Sequence, residues 1–102
     1  MNDVDRVIHE PARLRILTAL SGVDVADFQF LLSLIGLTKG NLASHMDKLE
    51  RSGYVRVDKS FRGKFPHTDY RLTPEGRKAL QDYWRTVDEI RDLSGASPDP
   101  RV

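Results

Sequence analysis

The segment from residue 38 to residue 52 carries the side chains whose types and spacing are best suited to chemistry. Lys39, Asn41 and Ser44 lie in its first half, and Lys48 and Arg51 lie further along. An asparagine amide can pair with adenine, and a lysine can bind guanine or a phosphate oxygen. We expect Lys48 and Arg51 to contact phosphates instead of base edges. The pattern predicts a helix that contacts duplex DNA, and an ordinary solvated helix face is the competing interpretation.

Gly40 and His45 lie in the same segment. A glycine inside a helix costs about 1 kcal/mol relative to alanine. That cost is understandable if the backbone at Gly40 must come close to a phosphate or a base. His45 has two interpretations, a base contact or a partly buried spacer.

A second basic group lies around Gly63, in the predicted turn region from Phe61 to Pro66. Arg62 and Lys64 could grip a minor groove or its phosphates. They could also serve to protect a strand edge from pairing with another chain. We expect the flanking Phe61 and Phe65 to pack the hairpin onto the domain, with base stacking as the less favoured role. The predicted DNA-binding residues are Lys39, Gly40, Asn41, Ser44, His45, Lys48, Arg51, Arg62 and Lys64.

Other kinds of chemistry find little support in the sequence. The chain has no cysteine, which excludes disulfides and thiolate metal sites and is compatible with a reducing cytoplasm. None of the three histidines has a metal-ligand companion three or four residues later, so we predict no metal and no cofactor. The sequence has no phosphate-cradling glycine loop, and we predict that the protein is not an enzyme. No apolar run approaches the length of a membrane span, and the polar N-terminus does not resemble a signal peptide.

The charge distribution singles out the middle of the chain. The formal net charge is only +1, but residues 38–78 hold ten basic and five acidic side chains. Residues 1–37 and residues 79–102 each hold three basic and five acidic side chains. A basic block between two acidic ends is typical of an electrostatic footprint for nucleic acid, although chance clustering on a solvated face would look similar.

The periodicity of the chain predicts the elements that position these residues. Helices are expected after Pro11, after an N-cap at Asp27, from Thr38 to Ser52, and after Thr73, which caps a helix begun by Pro74. Gly36 and Gly53 are expected stops. A short strand is predicted within 23–26, and a hairpin is predicted from strands at 54–59 and 67–72, with Pro66 placing the return strand at a sheet edge. Thr73-Pro74-Glu75-Gly76 is interpreted mainly as a helix start, although its positive end could also face a phosphate.

The last helix carries more apolar side chains than a small domain needs for its own core. Since they recur at helical spacing, we predict a symmetric dimer contact. Packing against the first helix of the same chain is the alternative. The predicted dimerisation residues are Leu80, Tyr83, Trp84, Val87 and Ile90.

Three segments occur in an order and at gaps that resemble a known group. They are HEPARLRILTAL, LLSLIGLTKGNLASHMDKLERSGYV and DYRLTPEGRKAL. Together they resemble the small single-domain winged-helix transcriptional regulators related to the MarR and ArsR repressors. The resemblance implies a dimer on a roughly palindromic operator, a recognition helix at 38–52 and a wing at 60–67. It departs from ArsR-type metal sensors, which use cysteines, and from longer MarR members, whose ligand pocket this short chain has little room for.

The sequence thus predicts a mostly α fold with a small antiparallel β-hairpin, a winged helix-turn-helix plus a C-terminal dimerisation helix. Residues 1–93 form the domain, the last helix spans about 73–93, and residues 94–102 form a disordered tail. The predicted function is a sequence-specific double-stranded DNA-binding transcriptional regulator, a cytoplasmic homodimer and a repressor. The alternative is a winged-helix protein-interaction module without specific DNA binding. A small-molecule effector is a third hypothesis, and the sequence leaves its identity open.

Overall fold

Residues 5–95 are described by the computed structural model of the chain. Within them, no helix is long and apolar enough to cross a membrane. The predicted mostly helical fold with a small antiparallel sheet is confirmed. Apart from Ser94 and Gly95, the predicted disordered tail lies outside the described residues. The elements in chain order are α1 (Pro11–Ser21), β1 (Ala26–Asp27), α2 (Phe28–Ile35), α3 (Lys39–Arg51), β2 (Val55–Arg62), β3 (Phe65–Leu72) and α4 (Pro74–Asp92).

Each of the four helices begins at a side chain that accepts a hydrogen bond from a backbone N–H three residues later. Asp27, Thr38 and Thr73 do so as predicted, and Glu10 does so for α1. Such a cap contributes about 1 kcal/mol, so the helix starts are fixed locally. The predicted stop at Gly36 is also confirmed, since its φ of 79° is left-handed and ends α2.

The sheet has three antiparallel strands in the order β1-β3-β2. The prediction that Pro66 places the return strand at an edge is wrong, because β3 is the central strand. The proline is tolerated because β1 pairs only with Asp69 and Tyr70, so no strand lies beside Pro66 on that side. The predicted strand at 23–26 is likewise displaced, to Ala26–Asp27.

The hairpin turn is shorter than the sequence analysis predicted. Its strands pair from Val55–Leu72 out to Arg62–Phe65, which leaves only Gly63 and Lys64 in the turn. Gly63 has a φ of 63°. Within residues 5–95, only glycines have a positive φ. A positive φ at the first turn position alone matches the type II′ turns that close two-residue hairpins.

One core joins all four helices to the sheet. α3 contributes Leu42, Met46 and Leu49, as predicted, and α1 contributes Ile16, Leu17 and Leu20. The segment before α1 joins the core as well, since Ile8 is fully buried and the Tyr54 hydroxyl donates to the Asp5 carboxylate at 2.5 Å. Burial, together with the hydrogen bond to Asp5 and its charge, raises the pKa of Tyr54 to about 12.

The start of α4 lies directly against the start of β2. The Thr73 hydroxyl accepts from the Gly76 N–H at 2.9 Å and donates to the Gly53 carbonyl at 2.6 Å. The Thr73 N–H donates to the Tyr54 carbonyl at 3.1 Å. A β-carbon added at Gly76 would lie 2.1 Å from that same carbonyl oxygen. The predicted helix start is therefore also a close backbone contact that only glycine permits.

We predict that Gly76→Ala lowers the free energy of unfolding by about 3 kcal/mol, because a methyl group cannot fit without moving two backbone segments apart. Urea denaturation followed by circular dichroism would measure it. Gly40→Ala is the matched control. Nothing lies within 4 Å of an added β-carbon there, so we expect a gain of up to about 1 kcal/mol. An unchanged urea midpoint for Gly76→Ala would contradict the close contact.

Candidate nucleic-acid interface

The outer side of α3 is a row of exposed polar side chains. Because the inward residues recur at helical spacing, the remaining positions must face solvent. Within residues 5–95, no hydrogen bond or ion pair engages the side chains of the four main candidates on this helix. Their donors and charges are thus available to a ligand. These four residues are Lys39, Asn41, Ser44 and Lys48, all exposed.

Arg51 lies on the same side but already has a partner. Its guanidinium is 2.9 Å from the Asp47 carboxylate, and both side chains are largely exposed. An exposed ion pair of this kind contributes at most about 1 kcal/mol. The pair can therefore exchange for a phosphate contact at small cost.

The first turn of α3 leaves room for another molecule at the backbone. The Thr38 hydroxyl accepts from the Asn41 N–H at 3.2 Å, while the earlier N–H groups of the helix have no helical acceptor. Gly40 is exposed, and no described atom would contact a side chain there. Packing inside the chain therefore does not require glycine at this position, and the partial positive charge of the helix start faces outwards.

The imidazole of His45, a residue of α3, lies on the side of this helix that faces α1. Its Nδ1 is 3.2 Å from Nη1 of Arg13 and 3.6 Å from the Glu10 carboxylate. Residues 42, 45, 46 and 49 follow the i, i+3, i+4, i+7 spacing of one helix face, so this ring is on the edge of the inward stripe. Its placement matches the partly buried spacer interpretation, and we leave His45 out of the base-reading set proposed below.

Glu10 completes this cluster beneath α3. Burial acts to raise the pKa of Glu10, but backbone N–H donors from Arg13 and Ala12 and the charges of His45 and Arg13 lower it overall. The Arg13 Nε also donates to the Val7 carbonyl at 2.6 Å. The cluster therefore ties the N-terminal segment to α1 and to the underside of α3.

The hairpin tip forms the second basic area. Lys59, Arg62 and Lys64 are exposed and make no ion pair within the described residues. No acidic residue occurs between 59 and 68. The flanking carboxylates in the sequence, Asp58 and Asp69, lie midway along the hairpin and pair with arginines and with His67. The positive charge at the tip is thus uncompensated.

The prediction that Phe61 and Phe65 pack the hairpin onto the domain is wrong. Their exposed fractions are 73% and 76%, the largest of any large apolar side chain in the described chain. Both belong to the last two residue pairs before the turn, so the hairpin tip presents them to solvent.

A family model of the winged helix DNA-binding domain matches residues 12–91. The chain belongs to this family. The match spans α1 to α4, so it includes both the exposed side of α3 and the hairpin that forms the wing.

This winged-helix chain is similar to proteins from two other organisms. An uncharacterised protein of Methanocaldococcus jannaschii is 34% identical over 89 residues, covering 87% of this chain and 94% of that protein. A transcriptional regulator homologue from Pyrococcus horikoshii OT3 superposes with a TM-score of 0.79 and is 28% identical, covering 86% of this chain and 87% of the other.

The resemblance to MarR and ArsR regulators is confirmed by further structural neighbours. A regulator assigned to the MarR family from Enterococcus faecalis V583 superposes with a TM-score of 0.68 at 23% identity, covering 87% of this chain and 79% of the other. An ArsR-family regulator superposes with a TM-score of 0.62. At these identities the likeness concerns the fold alone.

The apolar side chains of α4 in the winged-helix chain divide between the core and the outer surface. Leu80 and Tyr83 are buried in the chain's own core, and the Tyr83 hydroxyl lies 3.0 Å from Nδ1 of His9. Trp84 and Ile90 face outwards with 42% of each side chain exposed, and Val87 is half-buried. Of the five predicted dimerisation residues, only Trp84, Val87 and Ile90 remain available to a partner.

Sequence reasoning missed part of the same outer surface. Trp84 borders an open groove of about 420 Å³ whose other apolar walls come from α1 and α2, chiefly Leu14, Leu34 and Ile35. Leu34 and Phe30 are exposed on α2, and both lie off its inward stripe. Apolar residues off the stripe were the signal in the sequence that could have indicated this surface.

We predict that His45→Ala lowers the free energy of unfolding by about 1 kcal/mol, because Arg13 and Glu10 lose a half-buried partner. Ser44→Ala, one residue away and exposed, should change stability by less than about 0.5 kcal/mol. Thermal unfolding of the two variants would measure the difference. Equal stability of the two variants would remove the spacer role of His45.

Proposed function

We propose that this winged-helix protein is a sequence-specific double-stranded DNA-binding transcriptional regulator that acts as a homodimer in the cytoplasm. The observation that carries the proposal is the pairing of two uncommitted surfaces. The outer side of α3 offers free amide, hydroxyl and ammonium groups, and the wing offers three unpaired cations. Groups of these types at these positions match a helix in a major groove with a hairpin beside it.

The two surfaces have different roles in the proposed DNA binding. Asn41, Ser44 and Lys39 lie in the first half of α3 and are the proposed readers of base edges. The exposed backbone at Gly40 would allow that end of the helix to approach the duplex closely. Affinity comes from phosphates, which the remaining cations would contact, namely Lys48, Arg51, Arg62 and Lys64.

Relatives support the regulatory role. The Pyrococcus horikoshii protein is described as a transcriptional regulator homologue and covers most of this chain. We further propose repression as the mode of regulation. A protein that occupies promoter DNA can block transcription by occupancy alone, and this mode needs no surface beyond the DNA-binding face and a dimer contact.

The dimer would form through the outer side of α4. Trp84, Ile90 and Leu93 are exposed apolar residues on or just after this helix. Of these three, Trp84 borders the groove walled by Leu14 and Leu34. In a two-fold dimer the same patch contacts its own copy, so an apolar ridge and an apolar groove on one face complement each other.

Selection of bound duplexes from a random DNA library tests the proposed function. An enriched inverted repeat would support a specific dimer, because two-fold symmetric proteins bind half-sites at a fixed helical spacing. Enrichment of no motif, with binding that vanishes at physiological salt, would contradict it. That result would favour the alternative, a winged-helix module that docks on proteins.

We predict that Arg62→Ala combined with Lys64→Ala weakens binding to all duplexes roughly tenfold at moderate salt and lowers the salt slope of the affinity by about 2. Fluorescence anisotropy over a series of salt concentrations would measure both. Arg85→Ala is the control, since this exposed arginine lies on α4 and pairs with Asp82. Unchanged affinity and slope for the double variant would rule out a wing contact.

We also predict that Trp84→Glu produces monomers, because a carboxylate cannot be buried in an apolar contact without a partner. Sedimentation at micromolar concentration would show the change in mass. Trp84→Phe keeps an apolar ring and should remain dimeric. Trp84 is partly exposed in the single chain, so the glutamate variant should still fold. Dimers that persist in Trp84→Glu would place the contact elsewhere.

A further inference from the structure

The wing tip combines two properties that the phosphate contacts alone do not require. It is basic, and it also exposes two phenyl rings, Phe61 and Phe65, almost completely. Single exposed apolar residues are ordinary on protein surfaces. Two large rings within a five-residue tip forgo the stabilisation that burial provides, which indicates a partner that covers at least one of them.

The register of the hairpin places the two rings on opposite faces. Phe61 lies opposite Pro66, and Phe65 lies opposite Arg62. Residues directly opposite each other share a face, and neighbours along a strand alternate. Phe61 is therefore on the same face as Lys59 and Val57, whereas Phe65 is on the other face.

The face that carries Phe61 is the one against which α3 packs. Val57, Lys59 and Tyr70 border a depression whose other wall is formed by Ala43, Met46, Asp47 and Glu50 of α3. A molecule seated on the outer side of α3 and against the wing would thus meet the Phe61 face. Phe65 would point away from it.

The charge at the tip selects the kind of molecule. Lys59 shares the Phe61 face, Arg62 shares the Phe65 face, and Lys64 lies in the turn. No carboxylate lies between 59 and 68. An exposed apolar side chain near unpaired cations is complementary to a polyanion with an apolar interior. Duplex DNA has this character, with phosphates outside and stacked bases inside.

We propose that Phe61 is an apolar wedge that enters the minor groove beside the recognition helix and partly unstacks one base step. This inference rests on the DNA-binding function proposed above. With α3 in a major groove, the hairpin reaches across one phosphate strand into the adjacent minor groove. Lys59 and Lys64 hold the phosphates on either side, and the ring opens a pyrimidine–purine step, which is the kind most easily kinked. The wedge bends the duplex and makes the identity of that step part of the recognised sequence.

The test uses the full chain and the duplex that the wild-type protein enriches. 2-Aminopurine, whose fluorescence rises on unstacking, replaces adenine in each pyrimidine–purine step in turn, and dyes at the two ends report bending by energy transfer. The wild-type protein should brighten one step and shorten the end-to-end distance. Phe61→Ala should abolish both signals and weaken binding about tenfold. Its salt slope should stay unchanged, because no charge is removed.

Two matched variants sharpen the result. Phe65→Ala removes an equally exposed ring from the opposite face and should retain both signals. Phe61→Leu keeps an apolar wedge and should retain most of the bend. If Phe61→Ala bends and unstacks the duplex as the wild type does, the wedge is overturned while DNA binding stands, and the exposed ring belongs to another kind of contact such as a protein partner. If the wild type enriches no duplex, the proposed function and the wedge both fail.

Discussion

The contact between the start of α4 and the start of β2 is the constraint on which the rest of the structure depends. Thr73 donates hydrogen bonds to the Gly53 and Tyr54 carbonyls. Gly76 allows the backbone of α4 to come into contact with the backbone at Tyr54. Because β2 starts just after α3 and α4 starts just after β3, this one contact closes the base of the hairpin next to the end of α3. The direction in which the wing leaves the domain, and hence its position beside the recognition helix, is set there.

Several carboxylates in the described part of the chain have charged partners, whereas the lysines of the proposed DNA-binding surface do not. Asp58 and Asp69 in the hairpin pair with arginines or a histidine. On α4, Asp82 and Asp88 pair with a lysine or an arginine. Glu10 is held by backbone N–H groups and by the charges of Arg13 and His45. The ammonium groups of α3 and the cations at the wing tip have no such partner within residues 5–95. The nearly neutral chain thus presents a locally basic surface, which supports the assignment of that surface to a polyanion.

The sequence predicted what is decided locally. Asp27, Thr38 and Thr73 were found as caps because a cap depends on residues three positions apart, and Gly36 and the inward stripe of α3 follow equally short rules. Distant pairings were not predictable. The central position of β3 depends on β1, some 40 residues earlier, and the orientation of His45 depends on Arg13 and Glu10. The division of the α4 stripe between core and surface, and the exposure of Phe61 and Phe65, likewise required the assembled fold.

We propose that one face, built from α3 and the wing, binds duplex DNA. Amide chemical shifts of the ¹⁵N-labelled protein, recorded while the selected duplex is added, test it most directly. We expect shifts concentrated at Lys39–Lys48 and Phe61–Phe65, with the amides around Leu34 and Trp84 unaffected by the duplex. Shifts confined to the Leu34–Trp84 groove, with α3 and the wing unchanged, would contradict it.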